Sequence, residues 1–116
     1  MFPEVFVDVA AAIICFAATC HPVLVGAGTP LGEFQLTHYS TSLRGYGGDL
    51  LSFKESSDHL YAIHRVIDVP GQQRRDRLKS PSVKRRSRIT GGCVNVDPAV
   101  YEELVKCCYA SKLVIK

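Results

Sequence analysis

Short apolar segments separated by turn residues constrain the fold of this chain more than any other feature of its sequence. β-forming residues concentrate in these segments, and Gly or Pro clusters separate several of them. Residues 34–39 alternate apolar and polar side chains, as a half-buried strand does. The sequence therefore predicts a mostly β fold, with residues 1–116 forming a single domain. The predicted strands are residues 5–7, 11–16, 22–25, 34–39, 50–53, 60–66 and 113–115.

One helix is clearly indicated near the end of the chain. Asp97 can cap its first turn, and Pro98 suits the first helical position. Val100, Leu104 and either Cys107 or Cys108 follow at helical spacing, which predicts the buried face. We therefore expect one short α-helix in an otherwise β domain.

The basic residues are concentrated in one segment. Residues 72–88 contain eight Arg or Lys and a single acidic residue, Asp76, so this segment carries +7 in a chain of net charge +3. Pro70, Gly71 and Pro81 interrupt it, which predicts a long basic surface loop over residues 68–88. No aromatic residue lies between 67 and 88, so nucleic-acid binding is not expected, although a non-catalytic binding module using this loop stays an alternative.

The remaining composition excludes several classes of protein. Asp8 interrupts the long apolar stretch, so no membrane span is predicted. The five cysteines include no CxxC pair, so neither a metal site nor a cofactor is expected. Cys15 and Cys20 could form a disulfide if the protein is exported, but two reduced cysteines are the favoured interpretation. We expect a monomer.

Cys93 is the strongest candidate for a chemical role. It follows Gly91 and Gly92, which allow a tight turn and bring backbone N–H groups close to whatever the thiol attacks. A thiol with a pKa of about 8.5 needs a base or a positive neighbour to become strongly nucleophilic at neutral pH. Of the four histidines, His64 is the best candidate, because it lies near the end of a predicted strand. A His64 partner is expected to lower the pKa of Cys93.

Three separated motifs resemble the L,D-transpeptidase (YkuD-like) family. Thr90, Gly92, Cys93, Val94 and Asn95 match the residues around its nucleophile, although Gly91 replaces the usual His. Residues 29–34 match its Thr-Pro-x-Gly-x-Phe segment. A proteobacterial branch of the family is more similar still, through His-Arg-Val at residues 64–66, Arg-Leu-x-Ser-Pro at residues 77–81, and residues 88–96 with their Thr-Gly-Gly-Cys-Val-Asn motif.

The resemblance implies a fold and a set of roles. The fold is an L,D-transpeptidase-like β-sandwich with one short α-helix after the catalytic cysteine. Cys93 would be the nucleophile and His64 its base. The positioning and oxyanion residues would be Gly92, Thr90 and Arg65, and the substrate-binding residues would be Tyr46, Arg88 and Asn95.

The implied activity is peptidoglycan modification. The chain would form 3–3 cross-links between stem peptides through a Cys93 thioester, or, as an L,D-carboxypeptidase, remove the terminal D-alanine of tetrapeptide stems. A non-catalytic descendant is a further alternative, because Gly91 departs from the family pattern. The resemblance implies a periplasmic or cell-envelope location. The cytoplasm is the alternative, since no clear signal peptide is visible.

Overall fold

The computed structural model describes residues 2–40 and 48–116, which form nine strands and three helices. In chain order the strands are β1 (Val5–Asp8), β2 (Ile13–Phe16), β3 (Thr19–Pro22), β4 (Gly32–Gln35), β5 (Thr37–Tyr39), β6 (Leu50–Glu55), β7 (Leu60–Arg65), β8 (Val94–Val96) and β9 (Lys112–Ile115). The helices are α1 (Arg74–Lys79), α2 (Val83–Arg86) and α3 (Pro98–Cys108). The prediction of a mostly β fold is confirmed.

The strands form two mixed sheets. The first has the order β3-β2-β1-β9-β4, and the second has the order β5-β6-β7-β8. Two neighbouring pairs are parallel, β1 with β9 and β7 with β8, and the others are antiparallel. β8 is therefore a parallel edge strand, and Leu24 continues the pairing with an antiparallel bridge to Asn95.

One apolar core joins the two sheets. Alternate residues of β1, such as Val5 and Val7, are fully buried, as the period of a strand requires. Ile63 of β7 and Val94 and Val96 of β8 enter the same core from the second sheet. These contacts direct the alternate residues of β7 and β8, including His64 and Asn95, to the opposite face of their sheet.

The predicted strand over residues 34–39 is in fact two strands in different sheets. β4 pairs with β9 in the first sheet, and β5 pairs with β6 in the second. Leu36 lies between them, is 2% exposed, and donates its backbone N–H to Ser111. The alternating pattern continues across this junction, so the pattern alone gave no sign that the chain changes sheets.

The helix predicted after Cys93 is present as α3. The Asp97 side chain accepts a hydrogen bond from the backbone N–H of Ala99 at 2.8 Å, and Pro98 begins the helix. The fully buried residues are Tyr101, Leu104 and Cys108. Val100 and Cys107 only pack against the core, so the predicted buried face was wrong by one position at Val100.

The basic segment is mostly exposed, but it is not the irregular loop that the sequence predicted. It contains α1 and α2, and Leu78 of α1 is buried against Leu24 and Val66 on the outer face of the second sheet. Arg86 is 5% exposed and donates hydrogen bonds to the carbonyl oxygens of Ala11, Ala12 and Ser80. This segment is therefore packed over the site face of β7 and β8.

Four of the five cysteines form disulfides. Cys15 pairs with Cys20 across β2 and β3, with their Cα atoms 4.0 Å apart, and Cys107 pairs with Cys108 at the end of α3. The preference for reduced Cys15 and Cys20 was therefore wrong. Within residues 2–40 and 48–116, no helix is long and apolar enough to cross a membrane.

Candidate functional site

Cys93 ends a tight turn that leads directly into β8. The Thr90 hydroxyl donates to the carbonyl oxygen of Cys93 at 2.6 Å and accepts from the backbone N–H of Gly92 at 3.2 Å. Gly92 has a φ of 128°, which side-chain-bearing residues rarely adopt, and a Cβ there would lie 2.5 Å from the Tyr61 ring. These contacts fix the backbone on both sides of the thiol.

The segment that matches Thr-Pro-x-Gly-x-Phe supports this turn from behind. The buried Thr29 hydroxyl accepts a hydrogen bond from the backbone N–H of Gly26 at 2.9 Å. A Cβ on Gly26 would lie 2.1 Å from the carbonyl oxygen of Thr90, so the two backbones touch. The two motifs therefore meet in space, although about sixty residues of sequence separate them.

Cys93 and His64 lie on the same face of the second sheet. β7 and β8 are parallel, with Ile63 opposite Val94 and His64 opposite Asn95. Because side chains alternate along a strand, Cys93 and Asn95 share the face that His64 occupies. Cys93 precedes Asn95 by two residues, about 6.6 Å along the strand.

His64 is held in one tautomer. Its Nδ1 lies 2.8 Å from the carbonyl oxygen of Arg65, which can only accept, so Nδ1 carries the proton and Nε2 the lone pair. Burial lowers the pKa of His64; the bond to Arg65 opposes this effect, and the positive charge of Arg74 adds to it. The ring is therefore neutral near pH 7, with Nε2 able to accept a proton.

The Cys93 thiol is half-buried and also neutral. Its Sγ lies 3.6 Å from the carbonyl oxygen of Leu60, towards the start of β7, whereas His64 lies near its end. Burial raises the pKa of Cys93, and a backbone hydrogen bond from Ala62 and the charge of Arg74 only partly offset this effect. The expected lowering of the thiol pKa was wrong, because desolvation of the thiolate outweighs its favourable contacts.

Asn95 connects His64 to the basic segment. Its Nδ2 lies 3.4 Å from Nε2 of His64, and its Oδ1 accepts a hydrogen bond from Nη1 of Arg74 at 3.1 Å. The amide orientation is consistent, because the acceptor faces a cation and the donor faces a lone pair. Asn95 is fully buried, so its side chain has no exposed surface through which to contact a substrate as predicted.

Arg65 contributes its backbone to the site, while its side chain lies elsewhere. The guanidinium donates to Asp49 at 2.7 Å and to Glu102 at 2.5 Å, and it lies over the Tyr101 ring at 4.3 Å. Burial tends to raise the pKa of Asp49, but its hydrogen bonds with His38 and Arg65 and the charge of Arg65 hold that pKa at about 2. Arg65 therefore positions His64 through its carbonyl oxygen.

Arg88, another predicted substrate-binding residue, lies apart from this group. Arg88 is exposed and lines a separate cavity of about 300 Å³ together with Val25 and Gly26. Its φ of 57° belongs to the turn between α2 and Cys93. Tyr46 lies outside the described residues.

Arg74 and Tyr61 are the site residues that sequence reasoning missed. Arg74 is one of eight basic residues in its segment, and nothing in the sequence distinguishes it from the others. Tyr61 precedes His64 in β7 and packs against Gly92, a contact that only the strand pairing reveals. Across residues 2–40 and 48–116, no group of three His, Cys, Asp or Glu side chains is arranged to hold a metal ion.

Solved structures share this arrangement of strands over nearly the whole chain. An L,D-transpeptidase from Xylanimonas cellulosilytica has a TM-score of 0.64 and 15% identity, and the match covers 99% of this chain and 60% of that chain. One from Stackebrandtia nassauensis has a TM-score of 0.62 and 15% identity, over 100% of this chain and 56% of that chain. One from Mycobacterium tuberculosis has a TM-score of 0.60 and 9% identity, over 98% of this chain and 57% of that chain. The chain has the fold of the L,D-transpeptidases. No protein-family model and no curated protein matches the sequence.

The likeness to these L,D-transpeptidases concerns the fold, because the identities are only 9–15%. The chain spans 56–60% of the length of the solved chains that it matches. Within that shared L,D-transpeptidase fold, the described residues bring Cys93, His64, Asn95 and Arg74 to one face of β7 and β8.

Proposed function

We propose that this chain is a peptidoglycan-modifying cysteine acyltransferase of the L,D-transpeptidase type, with Cys93 as nucleophile and His64 as base. One observation carries the proposal. In an L,D-transpeptidase fold, the one cysteine outside a disulfide shares a sheet face with a neutral histidine whose Nε2 bears the lone pair. That pair has the acid–base states that thiol activation by a histidine requires.

The reaction begins from a neutral thiol and a neutral imidazole. Rotation of the Cys93 side chain away from Leu60 turns Sγ towards His64. Nε2 of His64 leaves its 3.4 Å contact with Nδ2 of Asn95 and takes the thiol proton. Sγ attacks the carbonyl carbon of the diamino acid in a donor stem, and the bond to the terminal D-alanine breaks. The proton on Nε2 passes to the departing amine, leaving a thioester on Cys93.

The second half of the reaction resolves the thioester. A side-chain amine of another stem gives a proton to Nε2 of His64 and attacks the same carbonyl carbon. The C–S bond breaks, the Cys93 thiolate takes that proton, and a 3–3 cross-link is formed. Water in place of the amine gives the L,D-carboxypeptidase reaction from the same residues. In either case the backbone N–H of Cys93 stabilises the oxyanion. The N–H of Gly92 can join it only by leaving its bond to Thr90.

The two disulfides support an extracytoplasmic location. Disulfides persist in oxidising compartments such as the bacterial periplasm and are rare in the cytosol. Stem peptides of the growing cell wall are found in that same compartment. We therefore propose the periplasm or cell envelope, with stem peptides as the partners of the site.

Acylation by a carbapenem tests the proposed nucleophile and base. Wild-type protein should gain the mass of one intact carbapenem, since opening of the β-lactam ring adds the whole molecule to Cys93. Cys93→Ala should gain none. His64→Ala should lose at least about 100-fold in acylation rate, the usual contribution of a general base.

His21→Ala is the matched control, because His21 lies on β3 in the other sheet and stacks on Phe16. It should be acylated at the wild-type rate. Equal acylation rates for His64→Ala and wild type would show that His64 is not the base. A carbapenem adduct on the Cys93→Ala variant would show that Cys93 is not the nucleophile.

A further inference from the structure

Arg74 of the basic segment donates its described hydrogen bonds to uncharged partners. Its Nε donates to Oε1 of Gln72 at 2.8 Å, and its Nη1 donates to Oδ1 of Asn95 at 3.1 Å. Arg75, the next residue, is instead paired with Asp68 at 2.8 Å. Within residues 2–40 and 48–116, no carboxylate lies within ion-pair distance of Arg74, and its Nη2 has no hydrogen-bond acceptor.

The guanidinium of Arg74 lies on the sheet face that carries the proposed nucleophile. It is bonded to Asn95, which follows Cys93 by two residues on the same face of β8. The positive charge of Arg74 acts on both reacting groups, because it contributes to lowering the pKa of Cys93 and the pKa of His64. Arg74 therefore presents unpaired N–H donors and a positive charge at the edge of the site.

Arg74 also lines a cavity at the surface. It has a volume of about 440 Å³ and is lined by Arg74, Val69 and Pro70, together with the Arg75–Asp68 pair. Asp76 also lines it, but that side chain belongs to an exposed residue. The size falls within the range of small-ligand sites, and Arg74 is the lining cation without a carboxylate partner among the described residues.

We propose that Arg74 binds the terminal carboxylate of the donor peptide and so selects peptide chain ends for attack by Cys93. The inference rests on the proposed function. In a donor that ends in D-alanine, the terminal carboxylate lies three bonds beyond the carbonyl carbon that Sγ attacks. Of the donor's carboxylates, this one is closest to the nucleophile. Arginine binds carboxylates through two parallel N–H bonds from two different nitrogens, and Nη2 together with the second N–H of Nη1 can supply them.

Binding of the terminal carboxylate by Arg74 also explains why the leaving group would be a single amino acid. When the bond to the terminal residue breaks, that residue departs as a free amino acid whose carboxylate stays on Arg74 until it dissociates. A donor with a blocked or extended end lacks this anion at that position. The arrangement therefore favours removal of a single terminal residue over cleavage within a longer peptide.

Alkylation of Cys93 tests the anion site without any need for peptide turnover. Iodoacetate and iodoacetamide alkylate a thiol by the same displacement of iodide, but only iodoacetate carries a carboxylate. The other four cysteines are in disulfides, so the label reports on Cys93 alone. The ratio of the two rates cancels any change in the thiol pKa. In Arg74→Gln, this ratio should fall about fivefold from the wild-type value, as expected for an ion pair at a partly exposed site.

Two further variants sharpen the result. Arg74→Lys should keep most of the wild-type ratio, because it retains the charge. Arg75→Gln should leave the ratio unchanged, because Arg75 is already paired with Asp68. An unchanged ratio in Arg74→Gln, or an equal fall in Arg75→Gln, would overturn the proposal.

A peptide comparison separates the proposal from the function on which it rests. Wild-type protein should release the terminal residue of a tetrapeptide acid faster than that of the matching C-terminal amide, and Arg74→Gln should lose this preference. Cleavage of both peptides by wild type without preference would overturn the role of Arg74 alone. If wild type cleaves neither peptide, the proposed function fails, and the alkylation ratio still decides whether Arg74 is an anion site.

Discussion

Gly91 and Gly92 are neighbours in the sequence but stand in different surroundings. A Cβ on Gly92 would meet the Tyr61 ring at 2.5 Å in a backbone conformation with φ of 128°, whereas a Cβ on Gly91 would meet nothing within 4 Å. Gly92→Ala should therefore destabilise the fold by about 2 kcal/mol and slow acylation of Cys93. Gly91→Ala should stay within about 0.5 kcal/mol of wild type.

Chemical denaturation of the two variants measures this difference, and carbapenem acylation measures its effect on the nucleophile turn. Equal stability and equal acylation in both variants would show that the turn does not depend on the glycine before Cys93.

The tight turn before Cys93 and the position of His64 on a strand were predictable from sequence because local motifs carry them. The two glycines before Cys93 and a histidine near the end of a predicted strand can be identified from the sequence alone. Arg74 was not recognisable, since seven similar cations accompany it in the same segment of the sequence. Its role depends on Asn95, which the packing of α1 over β8 brings within reach.

At the scale of elements, the basic segment is attached to the sandwich by a buried cation. Arg86 of α2 donates to three backbone carbonyl oxygens, of Ala11, Ala12 and Ser80, and is 5% exposed. Removing these donors takes a partner from the carbonyl oxygens of Ala11 and Ser80, while that of Ala12 keeps the backbone N–H of Val23. Hydrogen bonds from a charged donor cost more to lose than an average hydrogen bond.

Arg86→Met, which keeps the length of the side chain but no donor, should lower the free energy of unfolding by about 3 kcal/mol. Arg85→Met is its control, because Arg85 is an exposed neighbour and the change there should cost less than about 0.5 kcal/mol. Urea denaturation of both variants gives the comparison. Similar stabilities would mean that Arg86 does not anchor the segment.

Elements with a strong local pattern were predicted well, and those set by tertiary contacts were not. β1, β7 and α3 follow from β-forming segments and a capping sequence. The hairpin between β2 and β3 turns at Ala17 and Ala18, with φ of 50° and 65°, where alanine gives no turn signal. α1 and α2 are too short for a helical period to emerge and are held by Leu78 and Arg86.

At the scale of the whole molecule, two sheets and the basic segment converge on one edge strand. β8 is covered by Leu24 on its open side and by α1 on its outer face, while Cys93 stands at its start. The core was predictable in composition because apolar residues alternate along the strands. Its division between two sheets was not predictable, because Leu36 changes sheets within one continuous pattern.

The most direct test of the account is incubation of the protein with a tetrapeptide stem that ends in D-alanine. Intact-mass measurement should show an adduct of the tetrapeptide less its terminal D-alanine on Cys93, with free D-alanine in solution. Cys93→Ala should form no adduct and release no D-alanine. D-alanine release by Cys93→Ala at the wild-type rate, or wild-type protein that gives neither adduct nor D-alanine, would contradict the proposed thioester mechanism.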